Sequence, residues 1–481
     1  MAEPLWTEPL WTSDEIAAAT NGKLAGRPFT ATGVSIDTRT IEPGDLFVAL
    51  GGVRDGHEFV EQAFEKGAAG VLASRQVFGS AVMVDDPLRA LERLGAAARD
   101  RATGARRGAV TGSVGKTSVT QAIMAGLKLA GHGRQGSAHS SVKSYNNHIG
   151  VPLTLARMRR DTERAVFEIG MNHSGEIRPL TRMVRPHAAV VTTVGPVHTE
   201  NFPDGETGVA HAKAEVFAGL DVGGVAILNA DDRWFDLLRD EALKVGAQVR
   251  TFGHGERCDA RLIDFQGAPN LGGGGGHAVV QARFHGKGLD FPILQTGFHW
   301  GLNSMAVLLM LEALDVDLGD GLAALGSFEP LEGRGAERDV RLAKGGFTLI
   351  DESYNANPIS MASAIATLGG RAASGRKIVA LTDMLELGGE ARSFHAALAE
   401  PLAAAKVDLV FVAGPLMKSL WDALPPTRRG GYAETAAELA PQVARAAEPG
   451  DVVMVKGSNG SKAGLIAQAL GALDVRPGEA G

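Results

Sequence analysis

At 481 residues the chain is too long for one hydrophobic core, and a prior of roughly 150 residues per domain predicts three. Its 48 basic and 55 acidic side chains give a net charge of −7, which offers no electrostatic reason to expect nucleic acid or membrane insertion. The lone cysteine, Cys258, excludes an internal disulfide framework and fits a reducing cytoplasm, and no secretory leader or membrane-spanning run is expected.

The chain opens on a short direct repeat, Glu3–Thr7 and Glu8–Thr12, followed by a helix that Ser13 is expected to cap and that runs through Ala18. Small βα-like units follow. The stretch Gly33–Arg39 leads to a strand at Gly44–Leu50, a helix around Glu58–Lys66, and strands at Ala69–Ala73 and Ala81–Val84. Read alone, Asp37-Thr38-Arg39 is a polar turn and His57 a surface residue. The Arg/Gly-rich stretch Arg99–Gly108 marks a domain boundary.

Beyond it, an apolar run ends in Thr111-Gly112-Ser113-Val114-Gly115-Lys116-Thr117-Ser118, the pattern of a nucleotide phosphate-binding loop. The glycines let the backbone turn and approach an anion, Lys116 supplies a charge for the β/γ-phosphates, and the Thr117 hydroxyl suits Mg²⁺. Val119, Ile123 and Leu127 then continue as a helix toward Gly131, placing the positive end of that helix behind the phosphates. The general pattern has glycine where this chain has Val110. The side-by-side amides Asn146 and Asn147 could bind substrate oxygens or equally serve a turn.

Ala165–Gly170 reads as an apolar strand interrupted by one carboxylate near its C-terminal end. A buried carboxylate needs a cation, and ligands gather at strand C-termini, so Glu168 is a candidate Mg²⁺ ligand. The strand Ala188–Val194 delivers His198 to the same edge, although imidazole suits zinc better than magnesium. On periodicity alone, Lys213 is a solvated lysine on an amphipathic helix. Pro269–His277 is a glycine-rich loop, and an apolar helix carrying Trp300 and Asn303 runs to Leu314. From about Ser327, strands at Phe347–Ile350, Lys377–Leu381, Asp408–Val412 and Val452–Val455 alternate with helices, as in a doubly wound parallel sheet. Polar clusters follow those strands at Asp351–Pro358, Asp383–Gly388 and Lys456–Ser461, where an open sheet places its ligand contacts.

In this order the phosphate loop, Glu168–Ile177, Val197–Phe202, Ala212–Glu215, Asp351–Pro358 and Asp383–Gly388 resemble the Mur ligases, ATP-dependent ligases of bacterial cell-wall synthesis. The resemblance spans essentially the whole chain. It implies an α/β, three-domain architecture: a small N-terminal UDP-substrate-binding α/β domain at 1–104, a central P-loop ATP-binding domain at 105–326, and a Rossmann-like C-terminal ligase domain at 327–481. It further implies a cytoplasmic monomer that uses ATP and Mg²⁺ to join D-alanyl-D-alanine to UDP-N-acetylmuramoyl-tripeptide.

By the same resemblance, Thr117, Glu168, His198 and an N-carboxylated Lys213 surround the metal, and Arg334 neutralises the γ-phosphate. Asn303 contacts adenine and Asp351 the ribose. Asp37, Thr38, Arg39, His57, Asn146, Asn147 and Lys456 bind the acceptor substrates. Thr382, Glu352, Val110 and Trp300 depart from the family pattern. A folylpolyglutamate synthetase would share the ATPase and C-terminal domains without the N-terminal unit, and a non-catalytic nucleotide switch would need no second substrate.

Overall fold

The structure, a computed structural model, describes residues 9–52, 54–134, 136–142, 144–268 and 277–475. The first copy of the N-terminal repeat and the glycine run 269–276 lie outside the described residues. No helix among the described residues is long and apolar enough to cross a membrane.

The first helix spans Ser13–Thr20 and is capped by Thr12 rather than by Ser13. Thr12 Oγ1 accepts from the Glu15 amide and Glu15 Oε2 accepts from the Thr12 amide, a reciprocal capping box. Ser13 is buried and turns its hydroxyl to the Phe29 amide instead. The following sheet has five strands in the order Lys23–Ala25, Ala81–Met83, Gly70–Ala73, Asp45–Val48 and Gly33–Ser35. Its long helix, Pro87–Arg101, is capped by Asp86 and carries the chain toward the central sheet.

That central sheet has nine strands. From Ala260–Ala268 through Gln248–Gly253, Val225–Asn229, Ala188–Val191, Arg106–Thr111 and Arg164–Glu168 to Ala138–Ser140 they run parallel, and an antiparallel hairpin, His277–Phe284 with Lys287–Ile293, closes the far edge. The strand Arg106–Thr111 sits where the winding reverses. The chain leaves it to build one edge and returns on its other side at Ala188–Val191. Such a switch point opens a crevice at the strand's C-terminal end. Val110 explains its own departure from the loop pattern. It is a fully buried strand residue paired with Glu168 and Val190, so its side chain serves the core while the turn begins at Gly112. The apolar helix His299–Ala313 covers this strand so closely that a Cβ on Gly108 would lie 2.8 Å from Met310 Sδ.

The last sheet has six strands, ordered Ala336–Arg341, Gly346–Glu352, Val452–Lys456, Lys377–Thr382, Leu409–Ala413 and Arg429–Ala433, with only the first antiparallel. The four apolar strands agree with the sequence expectation. The two outermost do not appear in it, because edge strands need bury only part of their surface. One alternates charges through Glu337, Arg338 and Asp339, and the other contains Gly430 and Gly431.

Candidate active site

The phosphate loop is shaped by close approach as much as by turning. Gly112 adopts φ +147°, and a Cβ there would come within 1.9 Å of Thr192 Oγ1. Gly115, at φ +84°, lets the helix Lys116–Ala130 begin immediately afterwards. Ser113 is tied to the neighbouring strand end: its amide donates to Thr193 O at 2.7 Å, its Oγ donates to Gly195 O at 3.2 Å, and the Gly195 amide donates to its Oγ at 2.9 Å. Lys116 folds back to donate to Gly112 O at 2.7 Å. Some of its surface faces the cavity, yet the surrounding atoms desolvate the amine. That burial, with a smaller contribution from Arg334, lowers its pKa, and Glu168 opposes the shift.

Glu168 closes its strand almost completely buried, at 1% exposure, which removes the alternative of a surface strand end. Oε1 accepts from Asn146 Nδ2 at 2.6 Å, while Oε2 has no hydrogen-bond partner. An orphaned, buried carboxylate oxygen is costly, and a hard cation would satisfy it. Thr117, another oxygen donor, lines the same cavity. This pair fits Mg²⁺.

His198 stands in left-handed backbone, φ +55°, and also lines the cavity. Its Nδ1 lies 2.5 Å from Glu386 Oε2 without the alignment of a hydrogen bond. Burial lowers its pKa against the pull of Glu386, and Lys116 and Lys213 add to the lowering. The balance favours the neutral ring. Lys213, on the helix Glu206–Ala214, is only 2% exposed, which corrects the reading of a solvated lysine. Its amine has no ion pair among the described residues. Burial, then Lys116, drives its pKa far below that of an ordinary lysine. It is not among the residues that line the cavity, although it is close enough to act electrostatically with Lys116 and His198.

The other wall comes from the C-terminal sheet. Gly333 and Gly335, at φ +69° and +90°, bracket Arg334. The Tyr354 amide donates to Gly333 O at 3.0 Å and the Gly335 amide to Asp351 O at 2.8 Å, so this turn is stitched to the strand end. Arg334 projects across to donate to Thr117 Oγ1 at 3.1 Å, with its guanidinium 4.0 Å over the Tyr354 ring. Tyr354 in turn shares a 2.9 Å hydrogen bond with Ser144, and Ser144 lies 3.3 Å from Thr117 Oγ1. Lys456 is buried and donates to Glu352 Oε2 at 3.2 Å and to Asn355 O at 3.0 Å. Asn303 looks onto the loop, its Oδ1 lying 3.3 Å from where a Gly115 Cβ would be.

The enclosed space, about 460 Å³, is lined by Ser113, Gly115, Lys116, Thr117, Ser118, Asn146, Glu168, His198, Asn303, Arg334 and Lys456 among the residues expected from sequence. Ser144, His299, Tyr354 and Asn355 line it too and were not singled out, and Glu352, noted only as a departure from the family pattern, joins them. Gly112 shapes the loop from behind.

The remaining expected residues lie elsewhere. Asp351 spends Oδ1 on the Ser353 amide at 3.0 Å, and its neighbour Glu352 faces the cavity instead. Asn147 is exposed and accepts from the Ile149 and Gly150 amides, starting the next helix. Asp37, Thr38 and Arg39 lie in the turn after the strand Gly33–Ser35, and His57 in the short helix Gly56–Phe59, all in the N-terminal unit. Arg39 forks onto Asp37, Thr38 donates to Gln62 Oε1 at 2.6 Å, and His57 is held between Asp55 and the Ser74 amide. Trp300 is buried against Phe328, ring centroids 5.7 Å apart, and packs rather than faces the cavity. Thr382 bonds to Ser461 at 2.6 Å, and Gly457 is required beside it, since a Cβ would lie 1.7 Å from Thr382 Oγ1. Cys258 is half-buried, and burial raises its thiol pKa, which disfavours the thiolate.

Known proteins share both the sequence and the fold. Residues 30–99 match the profile "Mur ligase family, catalytic domain", 110–311 "Mur ligase middle domain" and 338–459 "Mur ligase, glutamate ligase domain". The UDP-N-acetylmuramoyl-tripeptide–D-alanyl-D-alanine ligase of Bacillus subtilis (strain 168) is 35% identical over 94% of this chain and 96% of its own length. The protein of that name in Escherichia coli (strain K12) is 34% identical over 84% of this chain and 86% of its own. A crystal structure of MurF from Acinetobacter baumannii superposes with a TM-score of 0.82 at 27% identity, covering 97% of this chain and 99% of that one. The chain belongs to the Mur ligase family.

Proposed function

We propose that this enzyme joins D-alanyl-D-alanine to UDP-N-acetylmuramoyl-tripeptide, consuming ATP and releasing ADP and phosphate in peptidoglycan precursor synthesis. The reading is carried by one convergence. A phosphate loop, an orphaned buried carboxylate oxygen and an arginine from a second sheet meet in a single cavity, in a chain matched almost end to end by ligases of that name.

Amide formation in water is unfavourable, so the tripeptide's terminal carboxylate first takes the γ-phosphoryl group as an acyl phosphate. Loop amides and Lys116 hold the transferring phosphates, while Arg334 stabilises the charge that develops on them. Mg²⁺ held by Thr117 and Glu168, with His198 beside them, supplies further neutralisation. The dipeptide amine then attacks the acyl carbon and phosphate departs. Because Arg334 and Lys116 belong to different sheets, approach of the two units completes the site.

Lys213 completes the reading as a carbamate. A neutral amine is the nucleophilic form, and burial beside Lys116 favours neutrality. Attack of the neutral amine on CO₂, with one proton released to solvent, would give a carbamate anion whose two oxygens are hard donors suited to Mg²⁺. We assign adenine contact to Asn303, ribose contact to Asp351 and substrate contacts to Asn146, Asn147 and Lys456. Asp37, Thr38, Arg39 and His57 form the UDP-substrate contacts of the N-terminal domain, with domain limits at 1–104, 105–326 and 327–481.

Phosphate release measured with UDP-N-acetylmuramoyl-tripeptide plus D-alanyl-D-alanine tests the assignment, using tripeptides ending in meso-diaminopimelate and in lysine. Release that needs both substrates is the expected result. Release with a folate and glutamate instead, or ATP binding with no ligation under any pairing, overturns it.

A further inference from the structure

Away from the phosphates, the central and C-terminal sheets also meet at Thr296. This residue lies on the link between the hairpin strand Lys287–Ile293 and the helix His299–Ala313 that carries Asn303. Its hydroxyl donates to the Glu337 carboxylate and accepts from Arg371 Nη2 at 2.6 Å. Arg371 forks onto the same carboxylate, through Nη1 to Oε2 at 2.8 Å and through Nη2 to Oε1. The pair is largely withdrawn from water, with side-chain exposures of 20% for Arg371 and 8% for Glu337. A hydroxyl has one proton to give, and here it goes to an anion while a cation donates to the oxygen. Both bonds are charge-assisted and therefore stronger than neutral ones.

Each member stands beside a segment that reaches the active-site cavity. Thr296 precedes the helix of His299 and Asn303. Glu337 follows Arg334 on the strand Ala336–Arg341. Arg371 follows the helix Pro358–Gly369, whose Ser360 and Ser363 line the cavity. The nearby crossings are weaker: the Phe298 amide to Thr367 Oγ1 and Ser363 Oγ to His299 Nδ1 are both 3.4 Å. Glu337 and Arg371 belong to one sheet unit and pair through both Nη atoms, with Arg371 Nε left buried and unpartnered, so the Thr296 hydroxyl is the part of the cluster that joins the two units.

We propose that Thr296 is a positioning residue for the ligation reaction. Its hydroxyl registers the Asn303 helix against the Glu337–Arg371 pair and thereby sets Arg334 over Thr117. The inference rests on the reading of Arg334 as a phosphate-handling residue. It is tested in the full-length enzyme with Thr296→Val, which removes the hydroxyl while leaving the ion pair, and Thr296→Ser, which restores it.

Thr296→Val is expected to lower kcat about tenfold with KM for the UDP substrate changed by less than about twofold, and Thr296→Ser to recover most of the rate. In an Arg334→Ala background the valine substitution is expected to cost nothing further, because the effect runs through that arginine. An equal fall in both backgrounds, or wild-type kcat in Thr296→Val, overturns the proposal. Thr296→Ala, which adds no methyl group, carries the same cycle if valine is not accommodated. Wild-type enzyme that ligates nothing defeats the functional reading alone, since the same cycle read by calorimetry through affinity for a non-hydrolysable ATP analogue, which keeps the γ-phosphate, still judges Thr296.

Discussion

Two lysines lie close enough to influence each other, and the contrast between their settings separates two ways of building a site. Lys116 belongs to a backbone device: glycines set the turn, a helix starts behind it, and the amine is held by Gly112 O with Glu168 nearby. Lys213 has no such device. It emerges from an ordinary helix, is 2% exposed, and has no anionic partner among the described residues. Both have lowered pKa values from burial, but only Lys116 has a carboxylate opposing the shift. A buried amine with a counter-charge remains a cation that can meet phosphate, whereas one without becomes a neutral nucleophile.

Removing the cation should have the largest effect. Lys116→Ala is expected to lower phosphate release by about a thousandfold or more, since the helix's other lysine, Lys128, sits in its last turn, away from the loop. Normal turnover in that variant would make the two lysines equivalent bystanders. Lys213→Ala should lose about a hundredfold, and acetate or formate should restore part of it by replacing the carbamate oxygens. Depleting CO₂ and bicarbonate should slow the wild type as well. An alanine variant with full activity would show that Lys213 has no role in the metal site.

Arg334 bears on the Lys116 side of the contrast, because it crosses from the other sheet to Thr117. Arg334→Ala is expected to cut kcat some tens of fold while leaving KM for the UDP substrate nearly unchanged. A change confined to KM would move Arg334 from the phosphate to the peptide.

The smallest effect concerns stability. In CO₂-depleted buffer Lys213 is neutral when folded and protonated when unfolded at any pH between its lowered pKa and about 10.4, so unfolding takes up a proton. Stability should therefore rise with pH across that window, by up to about 1.4 kcal/mol per pH unit. It should not depend on this group above the window. Lys213→Met, similar in volume and without the amine, should flatten that slope and unfold at higher denaturant concentration near neutral pH while losing activity. An unchanged slope by urea titration across pH would mean that the amine is solvated after all.

The glycine turn of the loop, the inner central strands around Gly108–Val110, Ala165–Gly170 and Ala188–Val194, and four strands of the last sheet were legible in the sequence because they depend on local rules. Ala138–Ser140, Gln248–Gly253 and the edge hairpin were not. Gly112 and Gly115 announce a turn, and long apolar runs announce buried strands. Glu168 was legible as well, because one carboxylate in an apolar strand contradicts its surroundings. The helix cap was misplaced by one residue because Thr12 and Ser13 are both good caps, and the capping box with Glu15 decides between them. Edge strands escaped because half-exposed strands carry charges and glycines that look like loops.

What the sequence determined by itself is therefore the local chemistry: which turn has the glycines and lysine suited to phosphate, and which strand end carries a carboxylate. The tertiary structure alone decided the electrostatics and the cross-sheet partners. Lys213 looks solvated on its helix and becomes buried only when the neighbouring elements pack around it. Arg334 meets Thr117, Tyr354 meets Ser144, and Thr296 meets Glu337 and Arg371 across separations of 217, 210, 41 and 75 residues. Periodicity reports only which face of an element is apolar. Which distant side chain then fills the space against that face is set by packing, and so is every pKa that depends on it.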